Sequence, residues 1–75
     1  MNQNEIARVQ HYLRKILSNN LIKLVPANSP DAPVEMMIGD EFFAALYKDE
    51  DEGEISFALH ATILDEDLPH ITDVI

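Results

Sequence analysis

Apolar residues recur at helical spacing near the start of the chain. Val9, Leu13, Ile16 and Leu17 stand 3, 7, 10 and 11 positions after Ile6, one stripe of a 3.6-residue period. Gln10, Arg14 and Ser18 fall on the side facing away from that stripe. The spacing predicts an amphipathic helix over residues 3–18. Asn2 followed by Glu5 has the form of a capping box, in which each residue satisfies the other's backbone N–H. Asn19-Asn20 is the expected stop, because Asn tolerates the left-handed backbone at a helix end. Arg14 and Lys15 sit in the last turns, where positive charge suits the helix dipole.

Beyond residue 20 the period changes to two. Short β-rich runs predict strands over 21–25, 34–38, 41–48 and 54–63. Pro26 closes the first, and Asn28, Ser29, Pro30 and Asp31 supply turn chemistry before the second. Gly39-Asp40 is a two-residue hairpin signal. Asp49 to Gly53 reads as a solvated loop. In the last strand Ile55, Phe57, Leu59, Ala61 and Ile63 alternate with Ser56, Ala58, His60 and Thr62, so one face is apolar. Residues 64–75 read as a short helical turn or a loosely held tail.

Such short connections favour an antiparallel meander, since parallel strands need long crossovers. The expected fold over residues 1–75 is therefore a single α+β domain, an N-terminal helix packed on a four-stranded antiparallel sheet in two layers. The third strand adds a complication. Phe42, Ala44 and Leu46 are expected on one face, with Phe43, Ala45 and Tyr47 on the other, joined there by Met37 and Val25. One helix covers one face only. The tail or a second copy of the chain should cover the other.

Composition narrows the function. A chain of 75 residues holds one small domain, which buries only about 60% of its unfolded surface. There is no cysteine, hence no disulfide framework and no thiolate metal site. No apolar run has the length of a membrane span or a signal-peptide core, which points to a cytoplasmic protein. Fourteen acids against five bases give a net charge of −9, which argues against a nucleic acid as partner. The charge is also uneven. Residues 1–26 hold four bases and the single acid Glu5, a net of +3. The remainder holds thirteen acids and the single base Lys48, a net of −12.

Candidate chemistry is sparse. The run Asp49, Glu50, Asp51 and Glu52 invites a calcium reading, but an EF-hand aligned on Asp49 needs Glu where His60 stands. Gly39-Asp40-Glu41-Phe42 is similar to the end of the diguanylate cyclase signature, yet the chain is too short for a cyclase. His11, His60 and His70 lack the spacing of a helical metal pair. No nucleophile elbow and no phosphate-binding glycine loop occurs. No catalytic residue, cofactor or metal ligand is therefore assigned.

With these segments placed, the chain resembles a family of short bacterial proteins, mainly alphaproteobacterial, described only as a domain of unknown function. The resemblance lies in Glu5-Ile6 through Tyr12-Leu13-Arg14-Lys15, in Ile38-Gly39-Asp40-Glu41-Phe42, in the acidic segment Asp49 to Gly53, and in Ala61 through Leu68. It implies a cytoplasmic protein with no established activity, and no catalytic residues to transfer. The expectation from the residues themselves is a non-enzymatic interaction module. It would self-associate through the apolar face bearing Phe43, Ala45, Tyr47 and Met37, or through a sheet edge. The alternative is a monomeric adaptor that meets a basic partner with Asp49, Glu50, Asp51 and Glu52.

Overall fold

Asn2 opens the helix as its spacing to Glu5 requires. Its side chain accepts from the Glu5 N–H at 2.8 Å, and the Glu5 carboxylate accepts from the Asn2 N–H at 3.0 Å. In the computed structural model, which describes residues 1–29 and 31–75, helix α1 spans Gln3–Ile16. It ends two residues before the expected stop. Ser18, rather than Asn19 or Asn20, takes the left-handed backbone, with φ of 51°. The Ser18 and Asn19 N–H groups then donate back to Lys15 and Arg14 carbonyls at 3.3 and 3.0 Å, closing the helix. Asn19 has a different task, its side chain accepting from the Leu21 N–H at 2.9 Å.

Four strands follow, β1 (Ile22–Val25), β2 (Val34–Ile38), β3 (Glu41–Asp51) and β4 (Glu54–Ala61). They form one antiparallel sheet in the order β1-β2-β3-β4. The α+β reading and the meander hold. Gly39, at φ of 61°, turns β2 into β3. Pro30, one of the turn residues expected before β2, lies outside the described residues.

One boundary moves substantially. Asp49, Glu50 and Asp51 belong to β3, not to a loop, and pair with Ser56, Ile55 and Glu54 of β4. Only Glu52 and Gly53 turn, with φ of 50° and 85°, the signs of a tight primed hairpin. Acidic residues have low strand propensity, which is why the sequence suggested a loop. Pairing with the strongly alternating β4 overrides that preference. β4 in turn ends at Ala61, short of the expected residue 63.

A second difference lies inside β3. Met36 pairs with Ala44 but Met37 pairs with Phe42, so a bulge leaves Phe43 without a direct partner in β2. Met36 is buried and its neighbour Met37 points the other way. Phe42 therefore sits on the face opposite the helix, not with Ala44 and Leu46 as the alternation suggested. The two faces are now defined.

The core is built from Ile22 and Leu24 of β1, Val34 and Met36 of β2, and Ala44 and Leu46 of β3. Ile6, Val9 and Leu13 of α1 pack against it, as does Phe57 of β4. Among the strands α1 approaches β1 most closely, and its apolar side chains pack on a core that reaches across β2 to Ala44 and Leu46 of β3. The β3–β4 hairpin extends past β2, whose pairing ends at Leu46. Residues 47–51 and 54–58 thus form a two-stranded arm, which contributes to the molecule's 48 Å length. Beyond β4 the chain makes two single 3₁₀ turns, Asp65–Asp67 and Ile71–Asp73, exposed throughout.

Candidate functional site

The arm is tied back to the helix by one charged group. Lys48 Nζ lies 2.7 Å from a Glu5 oxygen and 3.1 Å from Glu50. The hydrogen bond from Lys48, helped by that from the Asn2 backbone, lowers the Glu5 pKa. The same bond, with that to Glu50, raises the Lys48 pKa. Glu5 is the one acid of the basic first third and Lys48 the one base of the acidic remainder. The contact between the basic and the acidic part is thus made by the minority charge of each.

The flank of α1 that the helical stripe left to solvent is instead applied to a strand edge. Gln10 Oε1 accepts from the Leu24 N–H at 2.9 Å, and Arg14 Nε donates to the Ile22 carbonyl at 2.7 Å. These are backbone groups of β1, the first edge of the sheet. Gln10 and Arg14, expected to face away, thus cap an edge that would otherwise be open to pairing. The i, i+4 spacing of two long polar side chains was their only signal in the sequence.

No such cover reaches the β4 side of the inner face. Val9, Tyr12 and Leu13 of α1 face Phe57, Leu59 and Ile55 across an open cleft of about 630 Å³. Ile55 is 56% and Leu59 38% exposed, although both lie on the same face as the core. The sequence pattern placed them correctly by parity but could not show that the helix stops short of them.

The outer face gathers the residues expected there. Phe43, Ala45 and Tyr47 lie together with Phe42 and His60 around a shallow depression of about 470 Å³. Met37 is paired with Phe42, and Val25 reaches the same face through its pairing with Glu35, which opposes Ala45. Phe42, Phe43 and Tyr47 remain 59%, 40% and 44% exposed. Leu64 and Asp67 of the tail reach one side of the depression without burying these rings. The Tyr47 and His60 rings meet at 5.0 Å, tilted by 59°.

The acidic residues do not form a single cluster. Strand alternation puts Asp49 and Asp51 on the outer face with Tyr47, while Glu50 turns inward to Lys48. Glu52 stands in the turn itself. Among the described residues no three His, Asp or Glu side chains converge to hold a metal ion. His11 is on the exposed side of α1, and His70 stands between the two terminal turns. No described helix is long and apolar enough to cross a membrane.

Comparison with known proteins gives one match. The model of the family "Protein of unknown function (DUF3126)" matches residues 5–67, so the chain belongs to that family. No curated protein and no solved structure matches it.

Proposed function

From membership of a family without an assigned activity, we propose that this chain is a non-enzymatic interaction module that associates with a second copy of itself through its sheet. One observation carries the reading. The single helix and the core beneath it leave apolar side chains exposed on both faces at the far side of the sheet: Phe42, Phe43 and Tyr47 of β3 outside, Ile55 and Leu59 of β4 inside. Exposed apolar patches of this kind mark contact sites in small proteins. Phe43, Ala45, Tyr47 and Met37 supply the outer part of that surface.

Light scattering at tens of micromolar concentration tests it. The expected mass is twice the 8.5 kDa of one chain. A monodisperse monomer would sink the proposal.

A second reading is favoured by the arm. Asp49, Glu50, Asp51 and Glu52, with Glu54, occupy the end of a projecting hairpin, where a basic protein can approach them. Salt separates the two readings. Charge-steered contact with a basic partner weakens as salt rises. Apolar association of two chains of −9 holds or strengthens, because screening reduces their mutual repulsion.

A further inference from the structure

We infer that two copies of the chain join edge to edge, β4 against β4 and antiparallel, across a two-fold axis close to Ala58; this rests on the self-association proposed above and gives it a geometry. The sheet has two edges and they are treated differently. β1 is four residues long, carries Lys23, is followed by Pro26, and has its Leu24 N–H and Ile22 carbonyl taken up by Gln10 and Arg14. Short length, lysine, proline and side-chain cover are the devices that keep an edge from pairing. β4 has none of them. It is eight residues long, has no proline and no bulge, and carries no Asp, Glu, Lys or Arg from Ile55 to Ala61. Among the described residues no hydrogen bond from a side chain or from the tail reaches its outer edge.

The strand is also complementary to itself. Antiparallel pairing about Ala58 sets Phe57 opposite Leu59 of the second copy, and Ile55 opposite Ala61, on the inner face beside the open cleft. On the outer face Ser56 meets His60 of the second copy. No charged side chain opposes another, so two chains of −9 can approach here. Polarity follows from charge as well. Each β4 begins beside the acidic turn, with Glu52 and Glu54, and ends at Ala61, followed by the uncharged Thr62-Ile63-Leu64 before Asp65-Glu66-Asp67. Parallel alignment would bring the two acidic turns side by side. Antiparallel alignment holds them at opposite ends of a strand roughly 27 Å long. The sheet so formed has eight strands, with β1 at both of its capped edges.

An interface one strand wide lies at the small end of stable contacts, so association is expected in the micromolar range. Because the chain has no cysteine, single cysteines report proximity directly. Directly opposed residues of an antiparallel pair have Cα atoms about 4.5–5.5 Å apart, within the span of a disulfide. Ala58→Cys, Phe43→Cys and Lys23→Cys are oxidised side by side in the full chain at tens of micromolar concentration. The mass of the unsubstituted chain is measured by light scattering under the same conditions. The expected result is a dimer whose disulfide forms at least tenfold faster at position 58 than at 43 or 23. A dimer that cross-links fastest at 43 or 23, or at none of the three, overturns the edge geometry and leaves self-association standing. A monomeric unsubstituted chain overturns both.

Discussion

Lys48 shows how much one side chain can decide. Its ammonium holds the arm against the start of α1 through Glu5, while Glu5 also closes the capping box. Because the Glu5 pKa is lowered in the folded chain, its contribution is present above its ordinary value of 4.5 and is lost as pH falls through the lower, folded value. The Lys48 pKa is raised, so its contribution is present below 10.5 and is lost as pH rises above that. The pair thus acts across the whole neutral range. In Lys48→Met the Glu5 carboxyl should titrate closer to 4.5, as read by carboxyl carbon NMR. An unchanged Glu5 titration would show that the pair does not form in solution. Neither residue's sequence neighbourhood announced the contact, since they are 43 positions apart. What the sequence did show was that each is the lone charge of its sign in its part of the chain.

At the scale of elements, the helix start and the helix end behave differently. The start was legible, because a capping box is a local pattern and needs no tertiary partner. The end falls two residues short of the expected residue 18, because Asn19 is drawn into a side-chain bond with Leu21 and leaves Ser18 to make the left-handed turn. A serine there carries the steric cost that glycine escapes, on the order of 1 kcal/mol. Ser18→Gly should therefore stabilise the fold by about 0.5–1 kcal/mol, measured by urea denaturation. A loss of stability would mean that the Ser18 side chain makes a contact that outweighs the strain. The strands divide in the same way. β4 was clear from its alternation. The acidic end of β3 was not, because Asp49, Glu50 and Asp51 are strand only by virtue of the partner beside them. Phe42 departs from the face that alternation predicts for a related reason. Alternation carries a side-chain direction along a strand only until a bulge interrupts it, and this bulge has no glycine to mark it.

The whole molecule rests on a thin core. Among the described residues, six buried side chains from three strands are supported by a helix that contributes no fully buried residue of its own. At about 0.05–0.15 kcal/mol per residue a domain of this length has a net stability of roughly 4–11 kcal/mol. Met36 is completely buried at the centre of that core. Met36→Ala should cost about 2–5 kcal/mol and lower the thermal midpoint by roughly 10–30 °C. A fall of only a few degrees would mean that the surrounding side chains collapse into the space. The same thinness explains why so much apolar surface remains on β3 and β4. One helix of 14 residues has no second face to offer them. The dimer proposed above would add buried surface that the single chain lacks and tie the projecting arm into a wider sheet.

Neighbours along the chain set the helix and its cap, the four strands, their antiparallel order through short turns, and the two-sided apolar character of β3. The sequence alone also sets the charge balance, with its basic beginning and acidic remainder. Where the helix lies on the sheet depends on packing between distant segments. That position places Gln10 and Arg14 on the backbone of β1 and leaves Ile55 and Leu59 uncovered. The physical reason is that periodicity fixes which side of an element is apolar but not which half of a facing sheet it covers. With α1 along β1, one edge of the sheet is capped and the other is open.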